Sequence, residues 1–109
     1  MHELAITQGV VTAVIERTGS TPVAAVRLRV GRLAGVVPDA VRFCFELVTA
    51  GTPLEGAALE IEEPAGRGHC RTCGQDFGLA DLVLLCACGS ADVEVRAGRE
   101  LAVASVVLA

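Results

Sequence analysis

Four of the chain's five cysteines fall in one short stretch, as Cys70-Arg71-Thr72-Cys73-Gly74 and, after residues 74–85, Cys86-Ala87-Cys88-Gly89. Two closely spaced cysteine pairs offer four soft ligands. Tetrahedral zinc takes such a set, with sulfur at about 2.3 Å. The glycine after each pair permits a backbone turn that a side chain would obstruct. The second pair is C-x-C, not C-x-x-C. In an extended chain its two side chains point the same way, so both sulfurs reach one metal only if the backbone bends. Cys70, Cys73 and Cys88 are therefore the firm ligands of this reading, with Cys86 as the fourth and His69 as its substitute. So short a segment lacks an apolar core of its own, and the metal would supply much of its folding energy. A closed thiolate site is structural and leaves no coordination position for a substrate. A thioredoxin-like redox pair is disfavoured, because Cys70 follows Pro64 and glycines, not a strand running into a helix. A thiol enzyme is disfavoured too. His69 is the one base beside a cysteine, and no orienting acid stands at a recognisable spacing. Catalytic residues are expected to be absent.

Met1-His2-Glu3 is the second place where chemistry is possible. A bulky second residue such as His2 keeps the initiator methionine in place. The terminal amine, the His2 amide and the His2 imidazole can then chelate one ion, and the Glu3 amide completes four coplanar nitrogens. Square-planar nitrogen sites suit Ni(II) or Cu(II). These donors must lose protons, so binding weakens on acidification. From spacing alone the bland alternative, an exposed histidine in a frayed terminus, is the commoner case. Cys44 lies between Phe43 and Phe45 and is expected to be an unreactive core residue.

The elements that must position these groups follow from periodicity. Leu4, Val11, Val14 and Ile15 predict a helix over 3–18 that packs on that face and stops at Gly19-Ser20-Thr21-Pro22. Val26, Leu28 and Val30 alternate with Arg27 and Arg29, predicting a half-buried strand. Gly31 to Val37 reads as a turn-rich connection. Pro38 suits the first position of a second helix, whose Val41, Cys44, Phe45 and Val48 recur at i, i+3, i+4 and i+7 before Gly51. Ala57 to Glu62 and Val93 to Arg96 alternate as strands. Leu101 to Leu108, nearly all apolar, predicts a strand buried on both faces. Pro64-Ala65-Gly66 marks a boundary. The expected architecture is α/β: a small sheet covered by two helices, formed by residues 1–66 and 92–109, with a zinc-ribbon-like domain inserted at 67–91.

The chain has 109 residues, 52% of them apolar and 20% charged, which excludes disorder. A net charge of −4 with no Trp or Tyr argues against a nucleic-acid partner. Leu4 to Ile15, the longest uncharged stretch, is too short to span a membrane, and the N-terminus lacks the pattern of a signal peptide. Cysteine pairs in a chain of this kind fit a reducing, cytoplasmic setting. The strand at 57–63 or the C-terminal run could support a homodimer as an alternative to a monomer.

Taken in order along the whole chain, these motifs resemble the HypA/HybF nickel chaperones. The resemblance rests on Met1-His2-Glu3-Leu4, on Val36-Val37-Pro38-Asp39-Ala40-Val41-Arg42-Phe43-Cys44-Phe45, and on Gly51-Thr52-Pro53-Leu54-Glu55-Gly56-Ala57 before the paired cysteines and Cys88-Gly89-Ser90. It implies a metallochaperone of [NiFe]-hydrogenase maturation. It implies nickel at Met1, His2 and Glu3, and structural zinc at Cys70, Cys73, Cys86 and Cys88. It further implies cooperation with a HypB-type GTPase and delivery of nickel to the hydrogenase large subunit, with urease served by some relatives. The family's second cysteine motif is C-x-x-C, so this chain is one residue short there. The competing reading is a zinc-ribbon protein-interaction module without transferable metal.

Overall fold

The computed structural model describes residues 2–109. In order, the elements are α1 (Glu3–Thr18), β1 (Val23–Val30), α2 (Pro38–Thr49), β2 (Ala58–Glu62), β3 (Gly66–Cys70), β4 (Asp76–Leu79), β5 (Val93–Ala97) and β6 (Leu101–Leu108). They divide into two compact units. One holds residues up to 29, 36–62 and 102–109; the other holds 30–35 and 63–101. No helix among the described residues is long and apolar enough to cross a membrane.

The first unit carries a three-stranded sheet in the order β2-β1-β6, with α1 packed on α2. β1 and β2 run parallel, which requires a crossover, and α2 supplies it. The alternation read in β1 is real. Val26 and Leu28 are buried, while Arg27 and Arg29 face out opposite Glu60 and Glu62 of β2. Ion pairs at 3.0 Å (Arg27–Glu60) and 3.4 Å (Arg29–Glu62) fix that register. α2 also forms as expected, with Val41 and Phe45 buried and Pro38 in its first turn.

Three expectations for this unit are corrected. α1 buries Glu3, Thr7, Val11 and Val14, while Leu4 is 48% exposed. Polar groups can be buried on that face because they are satisfied: the Thr7 hydroxyl donates to the Glu3 carbonyl at 2.6 Å. Cys44 is half-buried, not core. β6, expected to be buried on both faces, is an edge strand whose residues are mostly exposed. An apolar run marks a doubly covered strand only when neighbours flank it and layers cover it. Three strands and two helices do not suffice for that here.

The second unit is a three-stranded antiparallel sheet, β4-β3-β5. Here the expected boundary moves. Val93–Ala97 pairs with β3 through Cys70↔Val93 and Gly68↔Val95, so it does not extend the helix-covered sheet. Residues 30–35 belong to this unit as well. The Gly31 amide donates to the Glu100 carbonyl and the Leu33 amide to that of Gly98, each at 2.7 Å. The boundary read at Pro64-Ala65-Gly66 runs straight into β3, which takes in Gly66 and the glycines before Cys70, not expected to form a strand. Its buried glycines leave room for neighbours. A Cβ on Gly68 would stand 3.0 Å from Val93 Cγ1, and one on Gly66 would overlap the Leu79 carbonyl.

Gly98 makes another close crossing: it has φ +108°, and a Cβ there would meet Gly66 and Leu33. Gly98→Ala places a methyl 2.6 Å from the Gly66 Cα in a backbone region that side chains disfavour. It is expected to destabilise the second unit by about 1–3 kcal/mol, the usual range for overpacking. Denaturant unfolding of the metal-loaded chain, followed in that unit, measures it.

Candidate metal centres

The cysteine centre is built by two turns that close at glycine. β3 ends at Cys70, and the Gly74 amide (φ +78°) donates back to the Cys70 carbonyl at 2.8 Å. The second turn is tighter. The Gly89 amide (φ +93°) donates to the Cys86 carbonyl at 2.9 Å, and the Cys86 amide donates to the Ser90 carbonyl at 2.9 Å. The first turn spans five residues, Cys70 to Gly74, and the second four, Cys86 to Gly89. The residue missing from the C-x-C motif is thus absorbed in the backbone, which bends as the motif requires.

The four Sγ atoms lie within 4.8 Å of one another. Cys70–Cys88 and Cys73–Cys86 approach to 3.7 Å. A tetrahedron with bonds of ~2.3 Å has edges of about 3.8 Å, so the spacing matches a four-thiolate site. Cys70 and Cys86 are buried and Cys73 and Cys88 exposed. The Cys73 amide, 3.5 Å from Cys70 Sγ, is the main cause that lowers the Cys70 thiol to about 6, with the Thr72 amide assisting. Thiolate is the form that binds metal. His69 is not in the cluster; its Nδ1 pairs with Asp76 Oδ1 at 2.7 Å. A strand does lead into Cys70, contrary to the expectation, but it continues through a turn into β4 and not into a helix.

Two residues pairs that sequence reasoning passed over tie the turns together. Thr72 Oγ1 and Ser90 Oγ share a hydrogen bond of 2.7 Å. Arg71 donates to Asp92 through its side chain at 2.8 Å and through its amide to the Asp92 carbonyl at 3.0 Å. The only signal available was their place beside the cysteines.

At the other end of the chain His2 is exposed and stands at the N-cap of α1. Its carbonyl accepts the Ile6 amide at 2.8 Å. Met1, the other expected donor residue, lies outside the described residues. Glu3 is 7% exposed, and its Oε2 accepts the Val37 amide at 3.1 Å. Val37 is the N-cap of α2, so a carboxylate of the first turn of one helix satisfies the N-terminus of the other. The sequence pointed to Glu3 as a backbone donor; it gave no sign that the side chain reaches α2. The structure therefore brings the four cysteines together and leaves His2 at an accessible helix start.

Comparison with known proteins agrees with this arrangement. Residues 1–108 match the family described as HypA, hydrogenase/urease nickel incorporation, metallochaperone. A hydrogenase maturation factor HypA of Geobacter metallireducens is 48% identical over 104 residues, covering 94% of each chain. One from Nostoc punctiforme is 43% identical over 106 residues, covering 97% of this chain and 94% of that protein. The solution structure of the Ni metallochaperone HypA from Helicobacter pylori superposes with a TM-score of 0.69. It shares 18% identity and covers 99% of this chain and 97% of its own, a likeness of fold. With two helices on a small sheet, a four-cysteine cluster and a match along nearly its whole length, the chain belongs to the HypA family of nickel-incorporation metallochaperones.

Proposed function

We propose that this chain carries Ni(II) at its N-terminus and delivers it to the [NiFe]-hydrogenase large subunit in the cytoplasm, with no catalytic step of its own. The observation that carries this reading is the pairing of an exposed His2 with a buried Glu3 held to the Val37 amide. The imidazole is accessible, and the backbone next to it is fixed to two helices. Nickel is held by the terminal amine of Met1, the His2 amide and imidazole, and the Glu3 amide. Nitrogen donors of this kind favour nickel over magnesium or calcium. Ligands at a chain end can be surrendered one at a time to an acceptor. A HypB-type GTPase and the hydrogenase large subunit are the partners this reading requires, with urease accessory proteins as a second destination.

Zn(II) occupies the cluster of Cys70, Cys73, Cys86 and Cys88 in the same reading. A zinc ion supplies crosslinking there and no chemistry. The donor set and its 3.7 Å sulfur spacings support it. With all four thiols engaged, the transferable metal belongs at the N-terminus.

The test is nickel calorimetry on zinc-loaded chain with its native start, against a chain carrying two extra residues before Met1. One nickel bound by the first and none by the second, at unchanged zinc, is expected. Equal binding by both would remove the terminal amine from the site. Failure of both to bind would favour a zinc-ribbon interaction module.

A further inference from the structure

A chain that carries nickel beside four thiolates must keep its two metals apart, because nickel caught on the sulfurs is lost as cargo. Geometry can separate them. Four sulfurs in a tetrahedron suit zinc, whereas Ni(II) favours a square plane. One movement relates the two arrangements. Each cysteine pair defines a plane with the metal. The two planes stand crossed in a tetrahedron and coincide in a square. Passing from one to the other twists the 70–74 turn against the 86–89 turn.

Three hydrogen bonds outside the sulfurs resist that twist. Thr72 Oγ1 and Ser90 Oγ share one of 2.7 Å. Arg71 Nη1 donates to Asp92 Oδ1 at 2.8 Å, and the Arg71 amide donates to the Asp92 carbonyl at 3.0 Å. Ser90 is where these ties meet the ligands. Its carbonyl accepts the Cys86 amide at 2.9 Å, and its amide hydrogen-bonds the Cys88 sulfur. Its hydroxyl also accepts the Asp92 amide at 3.1 Å. One residue thus holds both cysteines of the short C-x-C pair, while its side chain reaches into the middle of the C-x-x-C pair. The sulfurs facing each other across the turns, Cys70–Cys88 and Cys73–Cys86, are 3.7 Å apart. With bonds of ~2.3 Å a tetrahedron has edges of about 3.8 Å and a square has sides of about 3.3 Å, so the turns are held at the tetrahedral spacing.

We propose, on the zinc and nickel assignments above, that the Thr72–Ser90 bridge, seconded by Arg71–Asp92, is a metal-discriminating lock. It holds the two cysteine pairs crossed, so the sulfurs keep zinc and leave nickel to the N-terminus. Thr72 and Ser90 are positioning residues here; their hydroxyls act through the turns and not on the metal.

Nickel challenge of the zinc-loaded chain tests this. Thiolate-to-nickel charge-transfer absorption reports nickel on sulfur, and metal analysis reports the zinc released. Nickel at the N-terminus has nitrogen donors and lacks that absorption. The parent is expected to keep its zinc. Thr72→Val and Ser90→Ala, with circular dichroism unchanged, are each expected to exchange zinc for nickel at about tenfold lower nickel concentration, the low end of the ~10–100-fold typical of a group supporting metal ligands. Thr72→Ser keeps the hydroxyl and should match the parent. A bridge that only stabilised the turns would weaken both metals at the sulfurs alike, so an unchanged preference for zinc over nickel in the variants overturns the proposal. If Ser90→Ala does not fold, Thr72→Val decides, because Thr72 is exposed. A parent chain found without zinc before nickel is added would refute the zinc assignment itself, and the lock with it.

Discussion

Cys86→Ser is expected to empty the zinc centre and unfold residues 63–101 while α1 and α2 persist. Around the four cysteines little else holds the turns, although Leu33 and Leu79 are buried elsewhere in the unit. Its buried cluster comprises Cys70, Cys86 and Val93, with Phe77 and Leu84 packed against it. Two of those three buried residues belong to the four-cysteine group, so this cluster and the candidate metal site overlap. Structural zinc is worth about 10–16 kcal/mol in small zinc-dependent peptides. A lost thiolate removes most of that, and the remaining contacts, Thr72–Ser90 and Arg71–Asp92, are exposed. Surface ion pairs are worth about 0–1 kcal/mol each and do not replace a metal. Metal analysis should find zinc falling from one per chain toward none. Amide spectra should lose dispersion in the second unit and keep it in the first. Cys44→Ser is the matched control and keeps its zinc, because Cys44 belongs to the other unit. One zinc per chain retained by the Cys86→Ser variant would put the fourth ligand elsewhere, and would require His69 to leave Asp76.

How far the sequence reaches depends on whether a residue's partner is local. α2 and the alternating strand β1 are legible because each writes its own period, whereas α1 is legible in span but not in its buried face. The cysteine pairs are legible because metal ligands come in short spacings. β3 is not legible. Gly66 and Gly68 lower its strand propensity, and they are there because Leu79, Leu33 and Val93 occupy the space a side chain would need. The membership of β5 is not legible either. Val93 and Val95 alternate in the same way whichever sheet they join, and only the pairing with Cys70 and Gly68 decides. Apolar content misled at β6, where an edge strand has the composition of a buried one. The reach of Glu3 to Val37 links residues 34 positions apart, a connection that no local pattern encodes. The resemblance supplied the family and raised His2 from a bland reading to a nickel ligand; the zinc reading came from cysteine spacing. The turn that accommodates C-x-C came only from the backbone.

The second large effect is expected at the N-terminus, where His2 and Glu3 should separate into two roles. His2→Ala removes an exposed side chain with no part in the packing of α1, so unfolding should be unchanged. Nickel affinity should fall by more than the ~10–100-fold that loss of a supporting outer group typically costs. The imidazole is the one side-chain donor of the proposed site, and a chelate that loses it keeps only the amine and backbone nitrogens. Glu3→Ala acts differently. The carboxylate is buried and bonded to the Val37 amide, so its removal leaves the α2 N-terminus without that acceptor. Loss of a capping acceptor costs about 0.5–2 kcal/mol of stability. Nickel affinity should fall only within the ~10–100-fold range of a supporting group, since the Glu3 amide remains in place. Calorimetry and thermal unfolding of both variants give the comparison. A destabilised His2→Ala variant, or one that still binds nickel with the parent's affinity, would refute the division. So would a Glu3→Ala variant whose unfolding is unchanged while its nickel binding is abolished, because Glu3 would then be a side-chain ligand and not the anchor that holds the binding segment to the fold.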